Sequence, residues 1–167
     1  NAVLPDPLPD IAARNGLMAG FSTVRLAPAG GDGEPRFWGL QTVVLRFPNE
    51  AAAATAAAQL AAADPGLDGA TSRAPVTLGD PAARAVQYDL LDGAATVRAF
   101  TPFQSFVLFQ AAQMTPNPPL GLSAKSLVFS ALADQRTALK GFEPTPAGKL
   151  PELPRDPAGA ADNDGPQ

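Results

Sequence analysis

The sequence predicts an α+β domain, an antiparallel sheet of five or six strands with two helices packed on one face. Three observations carry this prediction. Residues 40–47 alternate in side-chain character with a period of two, then pass through Pro48 into an alanine-rich helix. Two further strand-like runs flank Asp92-Gly93, a dipeptide suited to a two-residue hairpin turn. Residues 123–140 repeat apolar side chains at helical spacing behind a serine.

Taken in order, residues 1–9 are punctuated by proline and read as extended chain, and Asp10 is placed to cap a short helix over 11–15 that Gly16 closes. Residues 18–27 read as a strand with Phe21, Thr23 and Arg25 on one face and Ser22, Val24 and Leu26 on the other. Residues 28–36 are a glycine-rich loop, and the Gly-Gly-Asp-Gly within it lacks the lysine and following hydroxyl of a phosphate loop. The central strand puts Val43, Leu45 and Phe47 on one face, and Pro48 ends it because proline cannot donate to a ladder. Asn49 caps the next helix and Glu50 sits where the dipole favours a carboxylate. The helix stripe Ala53, Ala56, Ala57, Leu60 is small, so the helix can lie close to the sheet, and Asp64-Pro65-Gly66 stops it.

Residues 66–73 are expected to be loop, 76–78 a short strand, and 79–81 a turn. A two-residue Asp92-Gly93 turn pairs residue i with 185 − i. Val86, Tyr88 and Leu90 then face Ala99, Val97 and Ala95, with Asp89 and Arg98 as diagonal neighbours on the other face. After a turn at 101–104, residues 105–113 are apolar on both faces, which calls for cover on both sides. Ser123 caps a helix to Lys140 whose inner stripe is Ala124, Leu127, Val128, Ala131, Leu132 and Leu139, and Gly141 takes the position after its end. The domain is therefore placed at residues 1–141. Residues 142–167, with six prolines from Glu143 onward and five acids against two bases, read as an acidic proline-rich tail or linker.

Composition removes several chemistries. The 167 residues contain no cysteine and no histidine. That eliminates thiolate nucleophiles, disulfides, Cys/His zinc sites and a histidine general base. The net charge is −4, and the twelve basic residues are scattered singly, which argues against nucleic acid and anionic membrane surfaces. No apolar run is long enough to span a bilayer. The chain does not begin with Met and shows no signal peptide, as expected of a processed product or a fragment. None of the serines lies in a Gly-x-Ser-x-Gly elbow, and Lys125 cannot face Ser123 or Ser126 on one helix. Asp64 and Asp68 fall in a Pro/Gly loop where capping and solvation account for them. Asp162-Asn163-Asp164-Gly165 starts like a calcium loop but brings its glycine too early. No catalytic residue, metal or cofactor is expected.

The anomaly in the sequence is apolar. Residues 99–124 carry no charge, and phenylalanine recurs at 100, 103, 106 and 109. A spacing of three is not a strand period, so these rings divide between faces, and one face must be covered by the second helix, the tail, a partner or a lipidic ligand. Phe103, Phe106, Val107 and Phe109, with the tail residues Leu150 and Leu153, are the candidate partner or apolar-ligand surface.

The order of elements, with the segments GFSTVRLA, VVLRFPNEAAAATAAAQLAAADPG and VTLGDPAARA, resembles the N-terminal domain of exported cell-envelope lipoproteins of mycobacteria and their mycolic-acid relatives, and sensor-type extracytoplasmic α+β domains of the same bacteria. The resemblance spans about residues 8–141. It implies export, a lipid anchor on a cysteine upstream of this chain, and a second domain after the tail. The function expected is that of a non-enzymatic accessory or protein-binding domain, held near the membrane only by that anchor. The alternative is a carrier or sensor for an apolar small molecule.

Overall fold

The computed structural model describes residues 4–27, 38–118 and 121–152. A short helix, α1 (Leu8–Arg14), precedes the outer strand β1 (Ala19–Leu26), which pairs with β2 (Trp38–Arg46). Helix α2 (Glu50–Ala63) leads to β3 (Ala70–Val76), β4 (Arg84–Leu90), β5 (Ala95–Phe103) and β6 (Phe106–Met114), and α3 (Ala124–Leu139) follows. All neighbouring strands run antiparallel, in the order β1-β2-β6-β5-β4-β3. The α+β class and the six-stranded antiparallel sheet agree with the sequence.

The helices do not share one face. Val43, Leu45, Phe47, Phe100, Val107 and Phe109 form one core with α2 and α1. Leu40, Val97, Ala99, Phe106, Leu108, Ala112 and Met114 form another with α3. Register confirms that these are opposite faces: Leu45 lies across from Val107 and Val43 from Phe109, while Val44 lies across from Leu108. The reason is β6. A central strand apolar on both sides exposes a full hydrophobic face unless something packs on each, so α2 takes one and α3 the other.

Local chemistry explains the helix bounds. The Asn49 side chain accepts from the Ala52 N–H at 2.9 Å, and Ser123 forms a reciprocal capping box with Ser126. Ala53, Ala56, Ala57 and Leu60 of α2 are fully buried, as the small-residue stripe requires. Asn15 Nδ2 donates to Gln59 Oε1 at 2.7 Å and ties α1 to α2.

Two strands depart from expectation. Residues 70–76 form an edge strand where a loop over 66–73 and a short strand over 76–78 were expected, and its exposed side chains hide the alternation that would have revealed it. Pro75 is tolerated because β3 has no neighbour on its outer side. The β4–β5 hairpin closes through three residues, with Leu90 paired across the turn by its N–H to Ala94 O and Gly93 at φ +87°. Only glycine adopts this left-handed conformation at low cost, as in a bulged three-residue loop. The two-residue turn lies instead at Gln104-Ser105, between Phe103 and Phe106. Pro102, one position before Phe103, sits past the last β4 residue in the ladder, so no bond to β4 is lost there.

Candidate functional site

The chain itself covers most of the apolar surface singled out from sequence. Phe109 and Val107 lie in the core under α2, and the Phe100 and Phe109 rings meet at 4.7 Å between centroids. Phe106 lies in the core on the α3 side, where Phe142 approaches it at 6.3 Å. Phe103 is half-buried on that same face under the Arg136 guanidinium, 5.2 Å from the ring centroid. Leu150 is half-buried in a 3-10 turn over Ala147–Glu152, and Leu153 lies outside the described residues. These six residues therefore do not form one exposed surface: three are core, two are partly open, and one is not described.

The hairpin register sets up a polar cluster that the sequence reading placed elsewhere. Residue i of β4 pairs with 184 − i of β5, one residue away from the two-residue expectation. A slip of one residue exchanges faces, so Arg98 shares its face with Tyr88 and Val86 and not with Asp89. Its Nη1 donates to Asp64 Oδ1 at 2.7 Å and to the Gly66 carbonyl at 2.7 Å. The Tyr88 hydroxyl donates to Asp64 Oδ2 at 3.3 Å, and the Gly66 N–H to Asp64 Oδ1 at 3.2 Å. Gly66 approaches the Tyr88 ring so closely that a β-carbon there would stand 3.4 Å from it, at φ +84°. Burial pushes the Tyr88 phenol pKa up, and the neighbouring Asp64 charge adds to this. The cluster pins the loop after α2 onto the sheet.

On the far face, Asp89 accepts from Ser72 at 2.6 Å and from Gln87 at 2.8 Å, and these bonds, Ser72 first, lower its pKa. Among the described residues no group of three or more His, Cys, Asp or Glu could hold a metal ion.

An open apolar stretch lies on the flank of the sheet at β1. Phe21 is 69% exposed, Val24 65% and Leu26 51%, all on one outer strand of eight residues. The Thr23 hydroxyl of β1 and the Thr42 hydroxyl of β2 share a hydrogen bond of 2.8 Å, so strand pairing is sound while Phe21, Val24 and Leu26 stand in solvent. Beside β1, an apolar groove of about 420 Å³ runs between Leu4, Pro9 and Leu17 on one side and Phe21, Val43 and Leu45 on the other. Sequence reasoning placed Phe21, Val24 and Leu26 on a strand but not at a sheet edge. Strand order is a long-range property, and local periodicity does not encode it.

A family model described as "Domain of unknown function (DUF7373) N-terminal" matches residues 1–155. The chain belongs to the DUF7373 family. No curated protein matches it. Among solved structures, this DUF7373 N-terminal domain is similar to the extracellular domain of PknH from Mycobacterium tuberculosis, with a TM-score of 0.54 and 16% identity. The likeness covers 81% of this chain and 72% of that one, and at such identity it speaks for a shared fold. Among the described residues no helix is long and apolar enough to cross a membrane.

Proposed function

We propose that this chain is a non-enzymatic binding domain that works outside the cytoplasm as an accessory unit of the actinobacterial cell envelope, held there by a lipid on a cysteine upstream, and that it meets a protein partner through the β1 flank. The observation that carries the reading is the exposure of Phe21, Val24 and Leu26 on a long outer strand. Val24 and Leu26 stand on the α2 face and Phe21 on the α3 face, and an outer strand with apolar side chains exposed on both faces is a liability unless something covers it. An extracellular domain of similar fold supports the location. The absence of histidine and cysteine, and the structural employment of Asp64, Arg98 and Tyr88, support a non-enzymatic role. A partner strand added along β1 would gain main-chain bonds for affinity and side-chain contacts for specificity.

Two variants test this. Phe21→Asp is expected to keep the native melting curve and to lose a stoichiometric envelope protein in pull-down. Phe109→Asp, in the core, is expected to unfold. Retention of the partner by folded Phe21→Asp would overturn the assignment of the flank.

A second reading, a carrier for an apolar small molecule, is favoured by the groove at Leu4, Leu17, Val43 and Leu45, whose volume is in the range of small-molecule sites. It predicts saturable uptake of a fluorescent apolar probe that Leu17→Asp abolishes.

A further inference from the structure

On the α2 side of the sheet, near where that helix ends, four strands and one loop enclose a second groove, of about 350 Å³. Val24 and Leu26 of β1 and Leu67 of the loop after α2 make an aliphatic rim. Thr96 and Arg98 of β5 and Gln113 of β6 make a polar floor. The tie from Arg98 to the Gly66 carbonyl holds Leu67 in place over it.

Two features of that floor leave hydrogen-bond donors unspent. Thr96 is only 6% exposed, and its hydroxyl is buried without a hydrogen-bond partner among the described residues. Leaving such a group unpaired costs free energy, and valine would satisfy the strand equally well. Arg98 spends only Nη1 on Asp64 and Gly66, so Nε and Nη2 have no hydrogen-bond partner among the described residues.

We propose that this groove binds a neutral amphiphile. An ester or amide carbonyl would sit on Thr96 and the unspent edge of Arg98, and a short aliphatic chain would lie along Val24, Leu26 and Leu67. The head group is neutral because Arg98 already has its counter-ion, Asp64, at 2.7 Å. A carboxylate brought to the guanidinium would meet Asp64 at a comparable distance, so repulsion offsets attraction while its hydration is lost. A carbonyl accepts the same donors at neither cost.

This site needs no protein partner, so it is tested apart from the β1 reading. The 167-residue chain is titrated with 1-monooctanoylglycerol, and in parallel with octanoate, by amide-resolved NMR. Saturable shifts are expected at Leu26, Leu67, Thr96 and Arg98, with octanoate weaker by about tenfold, one step of the usual affinity scale. Thr96→Val is expected to weaken the ester about fivefold, the loss of one hydrogen bond. Its melting temperature should hold or rise, because the free chain loses no bond. Shifts at Leu4 and Leu17 instead, equal affinity for octanoate, ester binding unchanged in Thr96→Val, or no saturable shift would each overturn the proposal.

Discussion

Asp64 accepts from three groups at once, and Arg98 is the only one of them that is charged. Replacing Asp64 with alanine leaves the Arg98 guanidinium largely out of water with no counter-ion. Breaking a buried pair in this way costs about 3–5 kcal/mol. The side chain of Arg98 retains some solvent, so the low end applies, and Asp64→Ala is expected to lose about 3 kcal/mol in urea unfolding. Tyr88 gives the cluster a pH signature. Its phenol titrates higher in the folded chain than in the unfolded one, so the stability it contributes is fully present below the unfolded value, near 10. That stability is lost as pH rises through the folded value. Unfolding free energy should therefore fall at alkaline pH, and Tyr88→Phe should flatten the fall. None of this was legible at the level of single residues. Asp64 reads as a helix stop beside Pro65 and Gly66, and its partner lies 34 positions away. A lone arginine in the middle of an apolar strand was the available signal, and the register error directed it to the wrong face.

Single elements were far more legible, because their signals are local. Asn49 and Ser123 cap the helices they were expected to cap, the buried stripe of α2 matches the residues read from spacing, and that of α3 keeps Ala124, Val128, Ala131 and Leu132 while Leu127 and Leu139 are half-buried. Asn49→Ala should lower stability by about 1 kcal/mol, the usual worth of an N-cap. Ala57 is fully buried against the sheet, so Ala57→Leu should overpack the contact and cost about 1–3 kcal/mol despite the better burial of leucine. A gain in stability would show that the α2–sheet contact is loose. The hairpin shows where local reading fails. Asp-Gly suits both a two-residue and a three-residue loop, and the choice moves every side chain of β4 to the other face. Burial of Tyr88 beneath the loop after α2 favours the three-residue form. Edge strand β3 was missed because an exposed strand with polar residues on both faces lacks the period-two pattern.

At the scale of the whole molecule, β6 organises the fold. Its two apolar faces demanded cover, and α2 and α3 supply it on opposite sides of the sheet. The expectation of helices on one face failed because the number of helices follows from sequence while their side follows from crossover geometry. Among the described residues Leu91, Phe129 and Phe142 are also exposed, but β1 carries three exposed apolar side chains on one outer strand, and that flank is the proposed meeting point with a partner. Site-specific photocrosslinking in envelope preparations tests this most directly, with the crosslinker placed at Phe21, at Leu26, and at Leu91. Leu91 is 91% exposed in the β4–β5 turn, well away in the strand order, and serves as an equally accessible control. A discrete protein adduct from positions 21 and 26, absent from position 91, is the predicted result; the same adducts from all three positions, or from 91 alone, would contradict it.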